Sequence, residues 1–169
     1  MVCKVGITGH RPPEFKDIEN AKGICREVVR LVQAQYNDPE LCFNLGGCIG
    51  ADQWVGGACI ERGIKFQLLL PFPPEVQSKY WDSDQKSNLM FQVDSCASLT
   101  VIGPSYKRAN YFIRDRAIVD QSDFLICFWE ERKYGGTYET IKYAIKQKKI
   151  ILNGLKNLSL VTREQVEKA

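Results

Sequence analysis

At 169 residues, with 44% hydrophobic and 25% charged side chains, the chain has the length and balance of an ordinary globular protein, which excludes disordered and fibrous classes and favours one domain spanning residues 1–169. Its 23 basic and 20 acidic side chains leave a formal net charge of +3, too small an excess to point to a polyanion or a lipid surface, so neither nucleic acid nor a membrane is expected as a partner. The seven cysteines are odd in number and never spaced C-x-x-C, which argues against a disulfide framework and a zinc site; no metal and no cofactor is expected.

The opening MVCKVGITGH lacks the apolar stretch of a secretory signal, and the longest apolar runs fall far short of the ~20 residues of a membrane helix, so a cytoplasmic location is expected. Val2–Thr8 is β-prone and ends in Gly9-His10-Arg11-Pro12-Pro13, where two prolines forbid continuation. From Asp17 to Tyr36 apolar residues recur at three and four, predicting an amphipathic helix. Leu41–Leu45 reads as a strand that passes through Gly46-Gly47-Cys48-Ile49-Gly50-Ala51-Asp52 into a helix running to Gly63. Lys65–Leu70 is a third strand, closed by Pro71-Phe72-Pro73-Pro74. Residues 75–96 are mixed and polar, enough for one or two helices. Leu99–Ile102 predicts a strand, Arg108–Val119 a helix, and Phe124–Trp129 a nearly all-apolar strand suited to burial on both faces. Gly135-Gly136-Thr137 opens a helix over Tyr138–Lys146, before a last strand at Lys149–Leu152. Alternating strands and helices predict the α/β class: a Rossmann-like three-layer sandwich with a mostly parallel central sheet.

In such sheets ligands bind beyond the carboxyl ends of the strands, near the point where strand order reverses. Three glycine-bearing strand ends compete for that role: Gly6-Ile7-Thr8-Gly9-His10-Arg11, Gly46 to Asp52, and Gly135-Gly136-Thr137-Tyr138-Glu139. The second and third place backbone amides at helix N-termini, where partial positive charge favours phosphate and a Cβ would hold the anion away. Neither G-x-G-x-x-G nor G-x-x-x-x-G-K-[ST] occurs, which sets aside dehydrogenase and P-loop readings.

Four stretches taken in order carry a resemblance: Gly6 to Pro12, Gly46 to Asp52, Tyr111 to Asp123 with Arg114 and Asp115, and Trp129 through Gly135-Gly136-Thr137 to Ala144. Together they resemble the SLOG superfamily of Rossmann-like proteins, which includes DNA-processing and LOG proteins, and within it the YpsA-like branch. The resemblance implies binding of nucleotides, ADP-ribose-related molecules or nucleic acid; its LOG branch hydrolyses nucleoside monophosphates to base and ribose phosphate. Arg114 and Asp123 match that branch. Its glycine motif does not: Tyr134 stands in the proline position, one residue is missing before Thr137, and Thr140 takes the place of the final Glu, with Glu139 one residue and ~100° away.

The ligand-binding set read from these motifs is Thr8, Gly9, His10, Arg11, Gly46, Gly47, Gly50, Asp52, Arg114, Trp129, Gly135, Gly136, Thr137 and Glu139, with Arg114 and Glu139 as the catalytic candidates. His10, the only histidine, either contacts ligand or bonds local backbone. Asp52 either caps a helix or orients ribose hydroxyls. Arg114 either lies on a solvated basic face with Arg108 and Arg116 or pairs bidentately with a phosphate. Trp129 is a stacking candidate, whereas Trp54 and Trp81 read as core. The leading function is a sensor or sequestering protein for a nucleotide or ADP-ribose-like ligand. Phosphoribohydrolysis and single-stranded DNA binding are the alternatives, and a homodimer is expected.

Overall fold

The computed structural model describes residues 3–168. Six strands are parallel: β1 (Lys4–Gly9), β2 (Cys42–Leu45), β3 (Lys65–Leu70), β4 (Ser98–Val101), β5 (Phe124–Phe128) and β6 (Ile150–Asn153). A two-residue strand, β7 (Ser159–Leu160), pairs antiparallel to β6, and the order is β4-β3-β2-β1-β5-β6-β7. The helices are α1 (Ile18–Tyr36), α2 (Ala51–Arg62), α3 (Pro74–Gln77), α4 (Ser83–Ser95), α5 (Arg108–Asp120), α6 (Gly136–Lys146) and α7 (Arg163–Glu167). The predicted class stands: a three-layer α/β sandwich around a mostly parallel sheet.

Local sequence explains the main elements. Asp17 caps α1 by accepting the Asn20 N–H (3.0 Å), and the helix buries Ala21, Cys25, Val28, Val29 and Val32 on one face. It stops at Asn37, which is left-handed (φ 39°). Each valine of that stripe contributes about 1.5–3 kcal/mol by leaving water, so an acidic substitution at the fully buried Val29 would undock the helix. On β5 the side chains alternate: Leu125 and Cys127 pack with Ile141 and Ala144 of α6, while Ile126 and Phe128 join the larger core beneath α1 and α2. Both faces are thus covered, as its apolar composition predicts.

Several boundaries move. β1 runs one residue further than expected because Gly9 pairs with Phe128, it begins at Lys4, and Val2 lies outside the described residues. β4 and β6 sit one residue from their predicted positions, and the polar 75–96 stretch forms two helices. β7 and α7 are not anticipated by the sequence reading; two strand residues and five helical ones are too short to show periodicity. Among the described residues no helix is long and apolar enough to cross a membrane.

Candidate functional site

The chain builds β1 to β4 outward on one side, then returns to place β5 beside β1, so strand order reverses between these two. Beyond their carboxyl ends lies a cavity of about 270 Å³, walled by the loop after β1, the loop before α6, and one face of α5.

The β1 wall is Thr8, Gly9, His10 and Arg11. Gly9 is dictated by packing, since a Cβ would stand 2.4 Å from the Ala51 Cβ. His10 lines the cavity although only 2% exposed. Its Nε2 accepts the Glu130 N–H (3.0 Å), which places the ring proton on Nδ1, 3.8 Å from Glu14 Oε2. Burial lowers the His10 pKa and Glu14 partly offsets it. The neutral imidazole therefore fastens the β1 loop to the β5 loop while presenting an edge to the cavity.

The floor is Arg114 with Asp52, Asp115 and Cys48. Arg114 is 4% exposed and almost fully occupied: Nε donates to Asp115 Oδ1 (2.7 Å), Nη1 to Gly46 O and Leu69 O, and Nη2 approaches Cys48 Sγ (3.5 Å). It is a strut joining the ends of β2 and β3 to α5. Of five N–H groups one is left over, so the expected bidentate clamp on phosphate is not available in this arrangement. Burial disfavours the Arg114 charge, but Cys48, Asp115 and Asp52 more than offset it and its pKa lies above the usual arginine value. Asp52 sits inside α2, not at its cap, which is Gly50. Its Oδ2 accepts the Cys48 N–H (3.3 Å); burial pushes its pKa up to about 6, with Arg114 and that N–H pulling the other way.

The third wall is Tyr134, Gly136 and Thr137. No side chain caps α6 at Gly135, so its first-turn amides carry their partial positive charge toward the cavity. Arg11 and Arg108 add full charges at the mouth. Aromatic rings surround it: Tyr111 edges onto Phe72 (5.1 Å between centroids), and Tyr106, Phe112 and Tyr134 stand exposed, the last under the Arg132 guanidinium (5.0 Å).

Eight of the fourteen expected residues therefore meet in one cavity: Thr8, Gly9, His10, Arg11, Asp52, Arg114, Gly136 and Thr137. Six do not line it. Gly46, Gly47 and Gly50 lie behind the floor, where each Cβ would come within 2.6 Å of a neighbour. Gly135 caps α6 just outside. Trp129 is no stacking platform: it is 2% exposed, its Nε1–H donates to Arg132 O (2.8 Å), and it stacks on Tyr138 inside the α6-side core. Glu139 faces a neighbouring groove between α5 and α6, paired with Lys142 (3.0 Å), as the one-residue rotation implies. Thr140 is buried with its hydroxyl on Gly136 O (2.8 Å), and Asp123 accepts the Lys4 N–H (2.8 Å) at the amino end of the sheet. Of the α5 face only Arg114 was among the expected binding residues. Arg108, Tyr111, Asp115 and Ile118 recur at three and four, a spacing visible in the sequence.

No family model matches the chain, and no curated protein matches it in sequence. Solved structures do. DNA processing protein A (DprA) from Streptococcus pneumoniae superposes with a TM-score of 0.68 at 17% identity, over 90% of this chain and 50% of that one. A structure of DprA from Helicobacter pylori that describes its single-stranded DNA binding mode gives 0.59 at 15%, over 89% and 64%. The molybdenum cofactor carrier protein of Chlamydomonas reinhardtii gives 0.60 at 18%, over 90% and 76%. The likeness is one of fold. This chain spans about half the length of the S. pneumoniae structure it matches. The matches also correct one expectation. The modest net charge argued against nucleic acid as a partner, yet the same fold serves a single-stranded DNA binder. Net charge averages over the whole surface and misses arginines gathered at one edge.

Proposed function

We propose that the chain binds a nucleotide or ADP-ribose-like molecule in the β1/β5 crevice, as a sensor or sequestering protein of the YpsA-like branch of the SLOG superfamily. One observation carries the reading: a single cavity at the strand-order switch joins the uncapped α6 N-terminus to Arg11 and Arg108. The phosphate lies on the α6 amides between those arginines, and the base lies against Tyr111 or Tyr134. Arg114 and Asp52 shape the floor, and the Asp52 carboxylate is placed for sugar hydroxyls. Glycosidic hydrolysis draws no support from α6, whose Glu139 lies outside the cavity.

A second reading, single-stranded DNA binding, is favoured by the exposed rings of Tyr106, Phe112 and Tyr134, the last with the half-buried Arg132 guanidinium over it, and by the fold shared with DprA. Two titrations separate them. Thermal shift with AMP, ADP-ribose and NAD, followed by chromatography of the recovered ligand, is expected to show stabilisation without turnover that is lost in Arg108→Ala. Fluorescence anisotropy with a labelled oligothymidylate at low and high salt tests the other; tight, salt-sensitive binding there with no mononucleotide effect overturns the first reading in favour of the second. Released base would make the protein a hydrolase.

A further inference from the structure

The two edges of the sheet end differently. One edge strand, β7, is two residues long; the other, β4, runs from Ser98 to Val101 and is last in the strand order. Edge strands are ordinarily blunted by charges, prolines or a covering segment, because free N–H and C=O groups invite another strand. β4 has none of these: Ser98, Leu99, Thr100 and Val101 are uncharged and all four are exposed. Ile102 N–H donates to Leu70 O (2.9 Å), so alternation turns the backbone groups of Thr100 toward β3 and those of Leu99 and Val101 outward. The Leu99 and Val101 side chains stand beside Leu68 and Leu70, on the α4 side of the sheet, and remain 40% and 38% exposed.

On that side α4 turns Leu89 and Gln92 inward, and the Gln92 amide donates to Gln53 O of α2 (2.9 Å). Lys86, Met90 and Asp94 recur at four on the opposite flank, away from α2 and toward the edge. Met90 is 45% exposed, and among the described residues neither Lys86 nor Asp94 forms an ion pair. This edge is complementary to itself. Antiparallel pairing of β4 with β4 of a second copy, about a two-fold axis at Thr100, sets Leu99 of each chain against Val101 of the other. The outward groups then exchange both N–H···O bonds at each pair, apolar side chains meet apolar ones, and threonine meets threonine. Met90 lies about 7.5 Å along the helix from Ser95, and Thr100 about 6.6 Å along the strand from Ser98, on the two sides of one short turn. Met90 is thus level with the axis, the two α4 helices run antiparallel, and Lys86 of one copy falls opposite Asp94 of the other. We propose that the chain dimerises through β4, joining two seven-stranded sheets into one continuous sheet, with Lys86–Asp94 pairs between the α4 helices.

The test is sedimentation equilibrium of the full chain across the micromolar range, where the mass should rise to twice that of the monomer. Leu99→Lys, which puts a charge on the exposed edge, should hold the chain monomeric while circular dichroism shows it folded. Val101→Pro removes an outward N–H that no strand of the same chain uses, and gives the same readout if the lysine variant does not fold. Lys86→Glu at low salt should weaken the dimer about tenfold by opposing two acidic groups, and adding Asp94→Lys to the same chain should restore it. The proposal fails if the chain stays monomeric throughout, or if folded edge variants dimerise like the parent, which would place the contact elsewhere. It also fails if Lys86→Glu leaves the dimer unchanged or Asp94→Lys does not restore it. None of these outcomes depends on nucleotide binding in the crevice.

Discussion

In the loop after β2 a Cβ on Gly46 would stand 2.6 Å from Arg114 Nη1 and one on Gly50 2.5 Å from His10 O; in the loop before α6 a Cβ on Gly135 or Gly136 would meet nothing within 4 Å. Both are glycine-rich passages from strand to helix, and in the sequence they read as the same device. The fold separates them. The first is filled from within, its glycines making room for the Arg114 strut, the Asp52 carboxylate and the β1 loop. The second is open, and its amides have no internal claimant. Glycine thus marks close approach of the protein to itself in the first loop; in the second it answers the backbone at Gly135, whose φ is 93°, while no neighbouring atom requires it at Gly136.

The sharpest way to break the contrast is Gly50→Ala. Gly50 has φ 97° and ψ −135°, a conformation open in practice only to glycine, and the new Cβ would strike backbone. A loss of about 4 kcal/mol or more in urea unfolding is expected.

Asp52→Asn comes next, and its sign depends on pH. Because burial raises the Asp52 pKa to about 6 from the ordinary 3.8, the folded chain takes up a proton more readily than the unfolded one. The stability this contributes is present at low pH and is lost as pH rises through 6, where the carboxylate must stay charged in its buried position. The variant should therefore be more stable than the parent at pH 8, by roughly 1–3 kcal/mol, and gain nothing at pH 4. Equal effects at the two values would count against a strained carboxylate.

Gly136→Ala should leave folding intact or slightly improved, while weakening nucleotide binding by about tenfold in a calorimetric titration. Unchanged affinity would mean that the open loop is merely exposed. Smallest of all, Glu139→Ala removes an exposed pair with Lys142 and should alter stability by under about 0.5 kcal/mol and nucleotide affinity not at all.

Legibility in the sequence followed the length scale of the cause. Strand and helix order is a matter of periodicity and punctuation over many residues, so β1 to β6 and the helices α1, α2, α5 and α6 were readable, whereas α4, as long as α5, could not be placed within the mixed polar stretch 75–96. The β7–α7 tail was not, because so few residues carry no period. Motif positions located the switch-point crevice through His10, Asp52 and Thr137. The roles within it depend on contacts across the chain, such as Arg114 to Gly46, and these cannot be read from spacing. Trp129 shows the limit well: placed at a strand end beside a glycine loop, it still turns inward, because alternation along β5 puts it on the side of Leu125 and Cys127.

The strand order also sets a timetable. β1 is made first, yet its neighbour on one side is β5, so during synthesis one edge of β1 stands unpaired while β2, β3 and β4 are laid down on the other. Neither the α6 N-terminus nor the Glu130 amide that holds His10 exists until β5 has docked. The crevice is thus completed late, through long-range contacts such as His10 to Glu130, and a ribosome-bound fragment ending before Phe124 should hold a half-sheet with an exposed edge and no site.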